Sequence, residues 1–120
     1  MTPLKVKQKL FEARDVIHIL HLNTSSYAEH KALDMFYNEW LSLADTFIET
    51  YQGKYGRIKG TITIDASTDL IAVEYLNQLM LYVCDDFSYI IVSGIDSDLE
   101  NIIADMKQLI NQTLYLLTLK

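Results

Sequence analysis

Residues 21–53 read HLNTSSYAEHKALDMFYNEWLSLADTFIETYQG. This segment predicts the end of one helix, a tight corner and a long second helix. Ser26 and Glu29 form a capping box, in which the serine oxygen accepts from a first-turn N–H and the glutamate reaches back. The apolar residues beyond it recur at the spacing of one helix face, and they are Leu33, Phe36, Tyr37, Trp40, Ala44, Phe47, Ile48 and Tyr51. The second helix is therefore expected over residues 27–51.

Three other segments show helical periodicity. The first helix is expected over residues 4–22, where Leu10, Ala13, Val16, Ile17 and Leu20 share one face. The third is expected to begin near Thr68 or Asp69 and to continue to about Val92. Its predicted inner face includes Leu70, Val73, Leu76, Leu79, Met80 and Val83. A second capping box, Ser97 with Glu100, predicts a fourth helix that runs nearly to Lys120.

Residues 52–68 form the one long irregular segment, which contains three glycines and the alternating run Thr61-Ile62-Thr63-Ile64. The run predicts a short strand or an extended crossover. About 15 extended residues reach ~45 Å, enough to run the length of the second helix. The third helix can then start at the same end as the second, as in ferritin-like bundles. The predicted fold is an all-α, ferritin-like four-helix bundle with a long crossover between its second and third helices.

Length and composition argue against several classes of function. The 120 residues suit a single domain spanning residues 1–120. The formal charge of −6 argues against binding of a nucleic-acid backbone. No apolar run reaches the roughly 18 residues of a membrane span, and no signal peptide is visible. The single Cys84 fits a reducing compartment, so a cytoplasmic location is expected.

Four residues with metal-ligand side chains lie on one flank of the second helix. At ~100° per residue, His30, Asp34, Asp45 and Glu49 fall beside the apolar face rather than opposite it. Asp45 and Glu49 are one turn apart and can both point at one cation. His30 precedes Asp45 by about 22 Å along the axis. These two can meet only if a second copy of the helix runs antiparallel across a two-fold axis.

The HLN of residues 21–23, with His30, Asp45 and Glu49, resembles the ferroxidase motif of the starvation-type mini-ferritins (the Dps family). In that family, HWN ends the first helix, a histidine lies early in the second, and Asp-x-x-x-Glu follows. The runs SYAEH and YQGKYG are also similar to small phage and bacterial proteins related to the mini-ferritins. The resemblance spans residues 21–56.

The resemblance implies an iron site between two subunits of a homodimer or larger homo-oligomer. His21 and His30 of one subunit, with Asp45 and Glu49 of the other, would bind Fe(II), and peroxide or O2 would oxidise it. Carboxylates suit the ferric product, and imidazoles suit a partly open ferrous site.

The chain departs from the mini-ferritin pattern at several points. Leu22 replaces the tryptophan of HWN. His18 would restore the usual distance to His30 but lacks the HWN context, and we favour His21 because it is nearer the core-facing edge. The chain has no basic tail and no obvious extra helix in the crossover, features that support DNA binding and shell assembly in the family. The Glu-x-x-His pair of di-iron bundles is also absent, so an intrasubunit ferritin site is not expected.

Two other functions are compatible with the sequence. The first is a non-enzymatic, phage-type helical oligomer that sequesters a small ligand such as a nucleotide. It would use its tyrosines and three basic residues in or beside the crossover, Lys54, Arg57 and Lys59. The second is an interaction protein whose aromatic flank contacts a host protein.

Overall fold

A computed structural model describes residues 1–67 and 69–119, and these residues form helices without any β-strand. Within that part of the chain there are four α-helices: α1 (Pro3–Asn23), α2 (Tyr27–Tyr55), α3 (Ala72–Leu81) and α4 (Ser97–Leu116). The all-α prediction is therefore confirmed. None of the helices in the described ranges is long and apolar enough to cross a bilayer.

The first two helices follow their predicted faces closely. Thr2 caps α1 by accepting from the Lys5 N–H, and Pro3 occupies the first turn. The predicted inner residues of α1 are all buried. In α2, Ser26 accepts from the Glu29 N–H as predicted. The Glu29 carboxylate, however, bonds to the Thr24 hydroxyl rather than reaching back to the Ser26 N–H. The second helix is also four residues longer than predicted, ending at Tyr55 instead of residue 51.

The third helix differs from its prediction at both ends. Thr68 lies outside the described residues, and α3 begins at Ala72, so the predicted start at Asp69 was wrong. Leu70 and Val73 are 39% and 40% exposed, contrary to their assignment to the inner face. After Leu81 the chain continues as a π-helical turn, Tyr82–Asp86, and a 3₁₀ turn, Phe87–Ile90. These wider and tighter turns change the angular step per residue, so a fixed α-helical period cannot assign faces through them.

The fourth helix begins where predicted, but its cap was misassigned. Ser97 is the first helical residue, and Asp96 occupies the cap position without a side-chain cap hydrogen bond. Glu100 accepts from the Gly94 N–H instead of closing a capping box with Ser97. Helix α4 ends at Leu116, and Lys120, where the prediction placed its approximate end, lies outside the described residues.

The link from α2 to α3 is extended and lies against α1. Gly56 ends α2 with a φ of 95°. Lys7 Nζ then donates to the Ile58 carbonyl at 3.0 Å, and the Thr63 N–H points to the Gln8 side chain at 3.4 Å. The extended-crossover alternative is therefore the one observed, and no strand forms within the described part of this link.

The helices pack around one continuous core in which α2 contacts both α1 and α4. Helix α4 starts beside the end of α2, where Tyr55 contacts Asp96, and runs back along it. Leu70 shares a small pocket with Leu20 at the end of α1, whereas Tyr82 shares one with Met1 at its start. Helix α3 therefore runs antiparallel to α1 and parallel to α2. The 29 residues of α2, at about 1.5 Å each, account for the 43 Å length of the molecule.

Candidate metal-binding site

The corner between α1 and α2 is closed by polar contacts within Thr24–Ser26–Glu29. The Thr24 hydroxyl accepts from the Ser26 N–H and donates to the Glu29 carboxylate. Ser26 in turn satisfies a first-turn N–H of α2, which otherwise has no intrahelical partner. This tight connection places the last turn of α1 directly beside the first turns of α2. His21 and His30 are the side chains that meet there.

The two imidazoles form a reciprocal pair. Nδ1 of His21 lies 2.8 Å from the carbonyl oxygen of His30, and Nδ1 of His30 lies 2.8 Å from the carbonyl oxygen of His21. The rings stack with their centroids 3.8 Å apart and their planes 19° apart. A carbonyl oxygen can only accept, so both neutral rings carry their proton on Nδ1. The Nε2 lone pair of each ring is then free to bind a metal ion.

The surroundings of the pair are aromatic on one side and acidic on the other. His21 is 7% exposed, and its Nε2 lies 3.9 Å from Asp34 Oδ1. The Tyr37 ring lies 5.4 Å from the His21 ring and stacks on the exposed His18 at 4.4 Å. Of the two candidate ligands on α1, His21 is the one that faces His30. His18 is exposed, and its ring centroid lies 6.1 Å from that of His21.

Asp45 and Glu49 lie further along α2 and are both exposed. They are one helical turn apart on the flank predicted from the sequence. Within residues 1–67 and 69–119 of one chain, no three metal-ligand side chains converge on a point. A single copy therefore presents two separate pairs of candidate ligands at different heights on α2. One is the histidine pair, with Asp34 near its His21 member, and the other is the carboxylate pair.

The three basic residues proposed for the alternative ligand site differ in their contacts. Lys54 Nζ lies 2.8 Å from Asp96 Oδ1 and 2.8 Å from Asp98 Oδ1. Arg57 and Lys59 are exposed on the crossover and form no salt bridge within the described residues. The structure thus keeps Arg57 and Lys59 available to a ligand, whereas the charge of Lys54 is already compensated.

Asp96 is the most strongly bound carboxylate of the described chain and is fully buried. Besides Lys54, it accepts from the Val92 N–H at 2.7 Å, and the Tyr55 hydroxyl lies 2.6 Å from both of its oxygens. Lys54, then Tyr55 and the Val92 N–H, lower the pKa of Asp96 to about 2. The same contacts raise the pKa values of Lys54 and Tyr55. This cluster joins the end of α2 to the start of α4.

The sequence alone did not single out Asp34 or Asp96 for these roles. Asp34 was placed on the correct flank of α2, but only the corner geometry brings it near His21 Nε2. Asp96 precedes a serine that itself suits a cap position, so the local pattern favoured Ser97. The adjacent Lys54-Tyr55 dipeptide and the aspartate lie 41 residues apart in the chain. Only the antiparallel packing of α2 and α4 reveals the cluster.

Comparison with known proteins gives a family and one phage relative. Residues 21–117 match a family of unknown function, DUF5856. The chain is also 32% identical over 114 residues to an Enterobacteria phage T4 protein described as an uncharacterized 14.6 kDa protein in the mobD-ri intergenic region. That alignment covers 92% of this chain and 84% of the phage protein. No solved structure matches significantly.

Proposed function

This chain belongs to the DUF5856 family, and we propose that it is a homo-oligomeric metal-binding helical bundle related to the mini-ferritins. Its site takes Fe(II) between two copies of the chain. His21 and His30 come from one copy, and Asp45 and Glu49 come from the other. Ferroxidation is the activity of that site.

The main observation behind this proposal is the pair of reciprocal hydrogen bonds between His21 and His30. Metal-binding histidines usually donate their second ring N–H to a carbonyl or carboxylate, which sets the tautomer and the ring orientation. Both Nδ1 atoms have such a carbonyl partner at 2.8 Å. The two Nε2 atoms are therefore held as acceptors before any metal arrives, which lowers the entropic cost of binding.

A carboxylate lies close to one histidine of this half of the site. Asp34 Oδ1 is 3.9 Å from His21 Nε2, too far for a hydrogen bond but a suitable separation for two ligands of one cation. Imidazole and carboxylate together suit Fe(II), and carboxylates favour the ferric product. We therefore add Asp34 to the ligands predicted from the sequence.

The other half of the site requires a second chain. His30 and Asp45 are separated by about 22 Å along a straight helix, so they cannot share an ion within one copy. Two antiparallel α2 helices would bring the His30 region of each copy opposite the carboxylates of the other. Lys31 is exposed beside His30, whereas Asp45 and Glu49 are exposed at the other end of the same flank. Antiparallel pairing therefore sets Lys31 near these carboxylates and keeps the Asp45 and Glu49 pairs of the two copies apart, which favours that orientation.

The helix arrangement supports the relationship to ferritin-like bundles. Helix α2 packs on α1 and α4, and α3 packs on the same two helices. The extended crossover lets α3 start at the same end of the bundle as α2, the connectivity of ferritin-like folds. The outward flank of α2 then remains open to a second copy.

The chemistry is a one-electron oxidation at each bound iron. When hydrogen peroxide is the oxidant, it accepts one electron from each of two Fe(II) ions and takes up two protons, giving two Fe(III) ions and two water molecules. The protein supplies the ligands, the carboxylate charge that stabilises Fe(III), and a partly buried histidine pair that limits free solvent.

A mixing experiment tests the shared site. His30→Ala and Asp45→Ala should each abolish saturable Fe(II) uptake, measured anaerobically, and peroxide-dependent formation of ferric absorbance. Subunits of the two variants, mixed under conditions that allow exchange, should regain about a quarter of the sites, because half of random dimers are mixed and one of their two sites is intact. His18→Ala is the matched control, since its exposed ring lies outside the pair.

Three outcomes would contradict the proposal. One is wild-type protein that oxidises Fe(II) no faster than buffer. Another is uptake that is lost in the single variants and never restored by mixing, which would locate the site within one chain. The third is a protein that stays monomeric in multi-angle light scattering with Fe(II) present.

A further inference from the structure

Basic side chains gather at one end of this acidic protein. Lys5, Lys7, Lys9, Lys54, Arg57 and Lys59 are six of the ten lysines and arginines in a chain of net charge −6. They belong to the start of α1, the end of α2 and the crossover that follows. The bond from Lys7 Nζ to the Ile58 carbonyl joins these segments directly.

Only part of this basic end is free to bind a ligand. Lys54 is bound by Asp96 and Asp98, and Lys9 forms a 2.7 Å salt bridge with Glu12. Lys7, Arg57 and Lys59 have no carboxylate partner within the described ranges. Lys7 uses one N–H on the Ile58 carbonyl and keeps two donors.

Arg57 and Lys59 flank Ile58 in the chain, and Lys7 bonds to the Ile58 carbonyl. Ile58 is 9% exposed and turns its side chain inward, whereas Arg57 and Lys59 are exposed. Alternate residues of an extended chain point to the same side, about 7 Å apart. Lys7 reaches the carbonyl of the residue between them. We call Lys7, Arg57 and Lys59 the crossover cations; their combination of one guanidinium and two ammonium groups suits phosphate oxygens.

An ordered aromatic ring precedes the crossover cations in the chain, since Tyr55 comes two residues before Arg57. Tyr55 is 48% exposed, although its hydroxyl is held 2.6 Å from both oxygens of Asp96. The Tyr51 ring packs 4.9 Å from it. Its hydroxyl bond and this neighbour restrict the rotation of the Tyr55 ring while leaving part of it open. A fixed aromatic surface next to cations is suited to stacking a nucleobase.

We propose that the crossover cations bind the polyphosphate group of a nucleotide whose base stacks on Tyr55. A compact ligand fits better than a long nucleic acid, because a long backbone would also meet the acidic remainder of a chain with net charge −6. This site is separate from the histidine pair and does not depend on metal binding.

Calorimetric titration with ATP, inorganic triphosphate and adenosine tests this proposal. Magnesium is omitted and EDTA is present, so the result is independent of the metal site. ATP should bind more tightly than triphosphate, and adenosine should bind weakly. The double variant Arg57→Ala/Lys59→Ala should weaken ATP binding about 100-fold, roughly tenfold for each charge-assisted contact. Arg14→Ala/Lys107→Ala removes one arginine and one lysine elsewhere and should change the affinity less than about twofold.

Several results would overturn this assignment. ATP that fails to bind at millimolar concentration removes the site, as does a double variant that binds like the wild type. Triphosphate that binds as tightly as ATP excludes a role for the Tyr55 ring and hence a nucleotide. A single-stranded oligonucleotide that binds through Arg57 and Lys59 when ATP does not would identify a nucleic-acid surface instead. Circular dichroism of each variant verifies that it is folded.

Discussion

His21 and His30 each hold the main chain of the other, with each Nδ1 atom 2.8 Å from the opposite carbonyl oxygen. The His21 carbonyl lies in the last turn of α1, where carbonyl groups have no intrahelical N–H partner. The His30 ring supplies that missing donor. These two hydrogen bonds therefore cap the end of α1, and they also fix the orientation of the Nε2 atoms of both rings.

The first prediction concerns the tautomers of these rings. Both His21 and His30 should be protonated on Nδ1 at alkaline pH, because only that tautomer can donate to a carbonyl. Long-range proton–nitrogen correlation spectra distinguish the two ring nitrogens. Addition of Zn²⁺ as a diamagnetic probe should shift Nε2 and leave Nδ1 protonated. A dominant Nε2–H form of either ring would contradict the bonding described here, and the exposed His18 provides the internal reference.

The second prediction concerns stability in acid. The pKa of Asp96 is lowered to about 2 in the folded protein, compared with about 3.9 in model peptides. Its stabilising contribution is therefore complete above about pH 4 and is lost as the pH falls through about 2. Lys54 has a raised pKa, so its contribution is complete below about pH 10.4 and is lost only as the pH rises through the raised value.

Urea unfolding between pH 2 and pH 5 measures the effect of Asp96. The wild-type unfolding free energy should decrease more steeply on acidification than that of Asp96→Asn, which lacks the titrating group. Asp98→Asn is the comparison: Lys54 also lowers the pKa of Asp98, but Asp98 is 53% exposed, so solvent screening should leave a smaller change in slope. Equal pH slopes for the wild type and Asp96→Asn would show that the Asp96 cluster does not control acid stability.

The third prediction concerns Tyr75. Its hydroxyl is buried and has no hydrogen-bond partner among the described residues, and this burial raises the pKa of Tyr75. An uncompensated buried hydroxyl costs about 1–3 kcal/mol. Tyr75→Phe should therefore raise the unfolding free energy by about 1 kcal/mol in urea titrations. Tyr82→Phe, at a half-buried ring that also lies near Lys9 of α1, should change it by less than about 0.5 kcal/mol. Destabilisation by Tyr75→Phe would reveal a water bound to that hydroxyl.

The fourth prediction compares two glycines. Gly60 has a φ of 139°, and a Cβ there would lie 2.6 Å from Leu4 Cδ2. Gly60→Ala should lower the unfolding free energy by about 1–2 kcal/mol. Gly53 lies inside α2 with open space around it, so Gly53→Ala should raise the value by about 1 kcal/mol. Thermal unfolding of both variants checks that the two changes in stability have opposite signs. A Gly60→Ala variant as stable as the wild type would mean that the crossover does not lie against α1.

The sequence predicted those parts of the fold that depend on regular periodicity. Leu10, Leu33 and Met106 are buried as expected, because one α-helical step relates each of them to its neighbours. The prediction failed at Leu70, which precedes α3, and at Val73 in its first turn, because α3 begins later than the periodicity indicated. It also failed at the end of the third helix, where a π-helical turn interrupts the α-helical step. Local patterns also could not reveal that Asp96 binds side chains from α2 instead of capping α4.

Only the part of the candidate site that lies within one chain could be predicted from the sequence. The mini-ferritin resemblance assigned His21 and His30 to the same half of one site, on either side of a tight corner. Their reciprocal hydrogen bonds depend on ring rotations that no spacing rule describes. The positions of Asp45 and Glu49 relative to the histidines depend on a second copy of the chain, so they remain a prediction.

The long crossover also bears on the order in which the molecule assembles. His21 and His30 are nine residues apart, so the α1–α2 hairpin forms by closing a short loop, a rapid event. Pairing α3 with α1 requires a much longer loop to close, and such distant contacts slow folding. Helices α1 and α2 are thus expected to associate first and to present an apolar surface onto which α3 and α4 dock. During synthesis, the α1–α2 hairpin would leave the ribosome first. Its apolar surface would stay exposed to solvent until α3 and α4 are made.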